Sequence, residues 1–189
     1  METLCALKKE GHRSPQLAFD LIPIVARQLG DAWNRDEISF ADVTIGCARL
    51  QHALHQLTDI SENPVLSPEH RRLDCLVLLP AGAQHTLGAT VITKQLRHAG
   101  IRIDQDLAAT PNTLSTLAKT QVFDVIFISA SLSETSDTLR RLVDASRLQW
   151  ADSKIILGGT FEAYGPRAIA TTKADYVTQD WQEALDFCI

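Results

Sequence analysis

The stretch "DCLVLLPAGAQHTLGATV", residues 74–91, predicts a strand, a loop and a helix in immediate succession. Its apolar run from Leu76 to Leu79 stops at Pro80, as expected of a short strand that is buried on both faces. A loop of small residues follows and holds one histidine, His85, three residues before Gly88, and a helix-like pattern then begins. The stretch therefore places an imidazole at the end of a buried strand.

Four more units of strand and helix follow this one. Strand-like apolar segments alternate with helical patterns, which predicts an α/β domain with a flavodoxin-like, doubly wound, five-stranded parallel sheet in the order 2-1-3-4-5. The predicted strands are residues 74–80, 101–104 ("IRID"), 123–131 ("FDVIFISAS"), 154–159 ("KIILGG") and 174–179 ("ADYVTQ"). In such sheets a ligand binds beyond the carboxyl ends of the strands, at the switch point between strands 1 and 3.

The N-terminal part has helical patterning instead. Ser14-Pro15 predicts the capped start of one helix, in which Pro23 predicts a kink, and Ser39 with Asp42 predicts the capped start of another. Apolar residues recur at helical spacing in both, which predicts a small helical bundle. The expected domains are a helical bundle over residues 1–60, a linker over 61–73 and the flavodoxin-like domain over 74–189.

The composition excludes several classes of function. The formal net charge is −5 and no Lys/Arg run exceeds two residues, so the sequence offers no basic face for the phosphate backbone of a nucleic acid. No apolar run approaches the ~20 residues of a membrane-spanning helix, and no signal-peptide pattern opens the sequence. The four cysteines are widely spaced, which is typical of separate thiols in a reducing compartment. We therefore expect a cytoplasmic protein that contacts neither membrane nor nucleic acid directly.

Three short motifs converge on the predicted switch point. His85 follows strand 1, Ser129 and Ser131 lie at the end of strand 3, and Gly158-Gly159 ends strand 4. Each motif alone is common in loops. Together they form a candidate site, because all three lie at the same edge of the predicted sheet. The phosphate-binding patterns GxGxxG and GxxxxGK[ST] are absent, and the acidic residues of a response-regulator receiver are missing. A single imidazole beside glycine and serine suits a metal-centred cofactor with a long tail.

The motifs AxHxxG (residues 83–88), SxSL (129–132) and GG (158–159) together resemble the cobalamin-binding module, whose signature is D/E-x-H-x-x-G, S-x-L and G-G. The resemblance implies that His85 is the lower axial ligand of cobalt in place of dimethylbenzimidazole. It also implies that the displaced nucleotide tail lies in the groove formed by the other two motifs. The implied cofactor contacts in the sheet domain are Gln84, His85, Thr86, Leu87, Gly88, Ser129, Ala130, Ser131, Leu132, Gly158, Gly159 and Thr160.

The helical region indicates a more specific group within the cobalamin-binding proteins. "LGDAW" (29–33) followed by "ISFADVT" (38–44) resembles the bundle of cobalamin-dependent light-sensing regulators, which caps the upper face of the corrin ring. The whole chain is most similar to antirepressors of photosystem genes in purple bacteria, the AerR/PpaA type. The resemblance implies that Trp33 and Val43 contact the upper corrin face. It implies a light-responsive regulator of transcription rather than an enzyme, with a repressor protein, itself a transcription factor, as partner.

Two departures separate the sequence from the family pattern. Ala83 stands where the family has an acid that orients the histidine, which argues against a methyl-transfer cycle and for a sensor or carrier. Val43-Thr44 stands where light sensors that use adenosylcobalamin carry Glu-His after Trp33. Two alternatives stay open beside a regulator that binds hydroxocobalamin or adenosylcobalamin. One is a haem-binding redox or light sensor of the same fold, and the other is a corrinoid carrier protein of a methyltransferase system.

Overall fold

The computed structural model describes residues 2–58, 73–131, 133–159 and 167–188 of the 189-residue chain. The chain divides into two compact units, Met1–Glu62 and Asn63–Ile189. The predicted linker, residues 61–73, lies outside the described residues apart from Leu73. None of the described helices combines the length and the apolarity that crossing a membrane requires.

The first unit is helical. Its helices are α1 (Glu2–Lys9), α2 (Ser14–Gln16), α3 (Ile22–Asn34) and α4 (Phe40–Thr58), and a π-helical turn (Leu17–Leu21) joins α2 to α3. Helix α2 begins at Ser14 with Arg13 as its N-cap residue, so the predicted cap at Ser14 is wrong by one position. Just before Pro23, where the sequence predicted a kink, the structure has the π-helical turn Leu17–Leu21. Proline lacks an N–H, so the helical hydrogen bonds rearrange in the turn that precedes it.

Helices α3 and α4 pack closely at Gly46. A Cβ on Gly46 would lie 2.7 Å from Leu29 Cδ1, so the missing side chain makes room for the leucine. The predicted cap of α4 is confirmed: Ser39 Oγ accepts a hydrogen bond from the Asp42 N–H at 3.2 Å, and Asp42 Oδ2 accepts one from the Ser39 N–H at 3.1 Å. The predicted helical N-terminal part is therefore present.

The second unit is built on a five-stranded parallel sheet with the strand order β2-β1-β3-β4-β5. The predicted flavodoxin-like fold class and strand order are confirmed. The strands are β1 (Asp74–Pro80), β2 (Arg102–Ala109), β3 (Val125–Ala130), β4 (Lys154–Gly159) and β5 (Tyr176–Val177). The helices are α5 (Thr86–His98), α6 (Pro111–Leu117), α7 (Ser136–Gln149), α8 (Arg167–Thr172) and α9 (Trp181–Asp186).

Three strands differ in length from the prediction. Strand β2 runs to Ala109 rather than to residue 104, because it lies at the edge of the sheet. There Asp104 and Gln105 are exposed while the backbone still pairs with β1, so the apolar pattern ends before the ladder of hydrogen bonds does. Strand β3 covers only Val125–Ala130 of the predicted 123–131, and strand β5 covers only Tyr176–Val177 of the predicted 174–179. The outer residues of both predicted strands lie in the flanking loops.

The sheet is covered on both faces, which explains the continuous apolar run in β1. Leu76 and Leu78 pack in one buried cluster with residues of α6 and α7. Cys75, Val77 and Leu79 pack in a second cluster with residues of α5 and α9. Because successive side chains of a strand point to opposite faces, a strand between two helical layers has to be apolar at every position.

Candidate functional site

The carboxyl ends of β1, β3 and β4 lie side by side and position the predicted site. Leu78 pairs with Ile128 in the register of β1 and β3, and Ser129 pairs with Gly158 in the register of β3 and β4. The loops that follow these three strands therefore leave the sheet at one edge, as the predicted topology requires.

His85 is exposed at this edge. The loop after β1 turns through Gly82, whose φ is +85°, and the Ala81 N–H donates a hydrogen bond to the Ala109 carbonyl oxygen at 3.1 Å. His85 is then the N-cap residue of α5, yet its side chain makes no capping hydrogen bond. An exposed imidazole that does not cap its own helix is available as a metal ligand.

Gly88 faces the end of β3. A Cβ on Gly88 would lie 3.7 Å from Ser129 Oγ, so the first turn of α5 and the serine motif stand across a narrow gap from each other. The structure therefore brings the His85 loop and the β3 motif together, as the sequence predicted.

Glu134 is a buried acid at the same edge, and the sequence reasoning missed it. It ends the segment "SASLSE" (129–134), is 7% exposed, and accepts hydrogen bonds from the Ser131 N–H and from the Ser133 hydroxyl at 3.0 Å. Burial raises the pKa of the Glu134 carboxyl, but hydrogen bonds from Ser131 and Ser133 and the charge of His85 outweigh it, so the pKa lies below its ordinary value. Glu134 is therefore an anion near neutral pH. An acid directly after a serine-rich strand end was the signal that could have found it.

The two glycines at the end of β4 are needed by the backbone itself. Gly159 has φ +110°, and a Cβ there would lie 2.1 Å from the Ala130 carbonyl oxygen. A Cβ on Gly158 would lie 3.3 Å from the Thr178 carbonyl oxygen. The GG motif thus has a structural role in addition to any contact with a ligand.

A cavity of about 350 Å³ opens beside these glycines, at the carboxyl ends of β4 and β5. Thr178 Oγ1 donates to Glu183 Oε2 at 2.7 Å, and Asp180 accepts hydrogen bonds from the Gln182 and Glu183 N–H groups in the first turn of α9. The residues that line the cavity are Gly158, Gly159, Val177, Thr178, Gln179, Asp180 and Glu183. The volume suits part of a small molecule. The sequence reasoning missed the lining from β5 onward, because no motif marks those residues.

The remaining predicted contacts in the sheet unit lie in the same loops. Gln84 is exposed, and its side-chain amide donates to the Gly82 carbonyl oxygen at 3.3 Å. Three further predicted residues are half-buried or buried here: Thr86, Leu87 and Ala130. Two others lie outside the described residues: Leu132 and Thr160.

Trp33 and Phe40 form an exposed aromatic pair in the helical unit. Trp33 is 44% exposed and Phe40 70%, and their ring centroids are 6.2 Å apart at an interplanar angle of 59°. Val43, the other predicted residue of this unit, is half-buried in α4. The sequence reasoning missed Phe40, although large apolar side chains that stay exposed together often mark a binding surface.

The side chains at the carboxyl edge of the sheet suit a metal ion that is already bound in a macrocyclic cofactor, rather than a free metal ion. Within the described parts of the chain, no group of three or more His, Cys, Asp or Glu side chains is arranged to hold a metal ion. His85 offers one nitrogen, which can complete the coordination of a cofactor metal but does not hold a free ion by itself.

Comparison with protein families identifies the sheet unit. The family model of the B12 binding domain matches residues 74–186, from the first residue of β1 to the last residue of α9. The chain belongs to the B12-binding domain family. The match spans all five strands, so His85, the serine motif and the GG motif all lie within the B12-binding domain.

One relative of this B12-binding chain is the "uncharacterized 20.5 kDa protein in bchF-crtJ intergenic region" of Rhodobacter capsulatus. It is 35% identical over 167 residues, which cover 87% of this chain and 86% of the relative. Because 167 residues exceed the length of the second unit, Asn63–Ile189, the similarity extends into the helical unit.

Two corrinoid or cobalamin-binding proteins are among the solved structures that share the fold. The monomethylamine corrinoid protein of Methanosarcina barkeri matches with a TM-score of 0.72 at 18% identity, over 98% of this chain and 85% of its own. A cobalamin-binding protein of Desulfitobacterium hafniense DCB-2 matches with a TM-score of 0.51 at 16% identity, over 99% of this chain and 88% of its own. At these identities the similarity shows the fold alone.

The residues of this B12-binding domain fit a corrinoid at most positions. His85 can supply an axial nitrogen to cobalt, and the cavity beside Gly158 offers room for a tail. Position 83 differs, because Ala83 packs half-buried against the second core cluster and has no side-chain hydrogen-bonding group. A bound corrinoid would supply a cobalt ion that His85 can ligate.

Proposed function

We propose that this chain binds cobalamin through His85 and regulates transcription through a repressor protein, without catalysing a reaction. The observation that carries the proposal is the exposed His85 at the end of β1, beside the gap between Gly88 and Ser129, in a chain of the B12-binding family.

Each part of the site has its own role in this proposal. The imidazole of His85 would hold the cobalt of the cofactor through a ring nitrogen. The gap at Gly88 and the cavity beside Gly158-Gly159 receive the nucleotide tail, which needs close approach to the backbone. Trp33 supplies an exposed aromatic surface for the upper face of the corrin ring.

The regulatory half of the proposal rests on the helical unit and on charge. The motifs "LGDAW" and "ISFADVT" resemble those of cobalamin-dependent light-sensing regulators, and the chain as a whole resembles antirepressors of photosystem genes. The relative of 35% identity aligns over 87% of this chain, which includes part of the helical unit. The net charge of −5 disfavours direct contact with DNA, so a protein partner is the natural target. The state of the bound cobalamin would shift the population of conformations that the repressor binds.

An absorption titration tests cofactor binding. Purified protein is mixed with hydroxocobalamin, adenosylcobalamin or haem and desalted, and the retained spectrum is recorded before and after illumination. The variants are His85→Ala and, as matched control, His55→Ala, which removes another exposed histidine. We expect a cobalamin to be retained by wild type and His55→Ala with one shifted spectrum, and His85→Ala to lose the shift or the cofactor. Retention of haem alone would contradict the cobalamin proposal, and retention of nothing would contradict both cofactors.

A reporter assay tests the regulatory half. In a purple bacterium that lacks this protein's counterpart, a photosystem-gene reporter is measured with an empty vector, with wild type and with His85→Ala. We expect wild type to raise the reporter signal and His85→Ala to fail at equal protein level. Equal signals for wild type and empty vector would contradict the antirepressor role.

A corrinoid carrier for a methyltransferase is the second candidate, favoured by the similarity in fold to the monomethylamine corrinoid protein. The missing acid at Ala83 weakens this candidate, because an outer carboxylate supports a histidine ligand as the coordination of its metal changes. Repeated methyl transfer from methylated protein to a thiol acceptor would favour the carrier over the regulator.

A further inference from the structure

His85 lacks the usual support for a histidine ligand on its own loop. Histidines that bind metals nearly always have a carboxylate, a carbonyl or a water beside the second ring nitrogen, which fixes the ring and strengthens its donor. Ala83 cannot supply such a group, and the Gln84 amide donates to the Gly82 carbonyl oxygen.

The neighbouring loop, between β3 and α7, carries an acid that can take the place of the missing supporting group. Glu134 follows β3, the strand beside β1, and the gap between Gly88 and Ser129 places the two loops together. The residue Glu134 is only 7% exposed, although burial of an anion is costly unless other groups stabilise it. The charge of His85 is one of the causes that lower the pKa of the Glu134 carboxyl.

The hydrogen bonds of the loop hold this carboxylate in one place. Glu134 accepts from the Ser131 N–H and from the Ser133 hydroxyl, and the Ser131 and Ser133 hydroxyl oxygens lie 2.8 Å apart. Both serines belong to the segment that carries the SxSL motif, so the acid is fixed relative to the end of β3.

We propose that Glu134 is the positioning residue of His85: an anion from the β3–α7 loop that stabilises the imidazole as a ligand of cobalt, in place of an acid at position 83. The inference rests on the proposed binding of cobalamin through His85. A fixed negative charge stabilises the positive charge that the imidazole acquires when it donates to a cationic metal. Glu134 acts through His85 and does not itself touch the metal.

Electron paramagnetic resonance of the bound, reduced cobalt(II) cobalamin tests the inference, because an axial nitrogen splits the cobalt signal. The variants are Glu134→Gln, the double variant Ala83→Asp/Glu134→Gln and, as matched control, Asp137→Asn, which removes an exposed acid paired with Arg141. We expect Glu134→Gln to lose much of the nitrogen splitting and to bind hydroxocobalamin roughly 10- to 100-fold more weakly. Asp137→Asn should match wild type, and Ala83→Asp should restore the splitting in the double variant.

The outcomes separate this inference from the proposed function. Unchanged splitting in Glu134→Gln would overturn the inference and leave cobalamin binding intact. Loss of splitting without rescue by Ala83→Asp would also overturn it, since Glu134 would then act only through the shape of its loop. Failure of wild type to retain cobalamin would overturn the proposed function itself.

A second measurement covers the case in which Glu134→Gln does not fold. Infrared difference spectra of wild type with carboxyl-labelled glutamate are recorded with and without hydroxocobalamin. We expect a glutamate carboxylate band to shift on binding in wild type and to stay in place in His85→Ala. A band that stays in place in wild type would overturn the inference.

Discussion

Gly159 and Ala130 are register partners at the ends of β4 and β3, and they approach so closely that a Cβ on Gly159 would lie 2.1 Å from the Ala130 carbonyl oxygen. The φ of Gly159, +110°, adds a second constraint. The site edge is therefore closed by a backbone contact that tolerates no side chain.

We expect Gly159→Ala to lower the free energy of unfolding by ~1–3 kcal/mol, because the new methyl group forces the strand ends apart and φ is strained. Urea unfolding measures the change. Gly30→Ala is the control, since a Cβ at this helical position meets nothing within 4 Å and should stabilise α3 by ~0.5–1 kcal/mol. Equal stability of Gly159→Ala and wild type would mean that β4 relaxes freely at its end.

We expect Gly88→Ala to weaken the binding of cobalamin without lowering the stability of the fold. The new Cβ would lie 3.7 Å from Ser129 Oγ, an ordinary contact, so thermal stability should stay at or slightly above that of wild type. The same methyl group narrows the gap beside His85, and we expect cobalamin to bind roughly tenfold more weakly. Calorimetric titration measures the affinity. An unchanged affinity would show that no part of the cofactor enters this gap.

Glu134 should contribute to stability in a pH-dependent way. The pKa of its carboxyl lies below the ordinary 4.5 in the folded protein, so its contribution is present above that pH and is lost as the pH falls through the lower folded pKa. At pH 7 we expect Glu134→Gln to be less stable than wild type by ~1–3 kcal/mol, the usual cost of a lost buried charged hydrogen bond. The melting temperatures of the two proteins should converge as the pH falls below 4.5 and then through the lower pKa of the folded protein. A constant difference across this range would contradict an ionised Glu134.

Thiol labelling should report burial directly. Cys75 is buried in β1, and burial raises the pKa of its thiol well above the ordinary range, while burial raises the pKa of Cys188 to about 11. A maleimide at neutral pH should therefore react first with the exposed Cys5 and reach Cys75 only on unfolding. Mass spectrometry of digested protein identifies the labelled residue. Rapid labelling of Cys75 in the folded protein would mean that the second core cluster opens locally.

The outline of the site could be predicted because its residues follow strands. The position of His85 directly after an apolar run placed it at the carboxyl edge, and the order of the strands placed Ser129 beside it. Glu134 could not be predicted in the same way. Its importance depends on its burial and on hydrogen bonds within its loop, and neither produces a periodic pattern of residues in the sequence.

The sequence by itself determined the helical N-terminal part, the parallel sheet with its strand order, the histidine loop and the family, because apolar periodicity and motif spacing depend on local chemistry and on topology. Only the tertiary structure decided how far β2 extends, that Gly159 presses against Ala130, and that a buried carboxylate belongs to the His85 edge. These features arise from distances between segments far apart in the chain, and such distances are fixed only when the sheet brings the strands together.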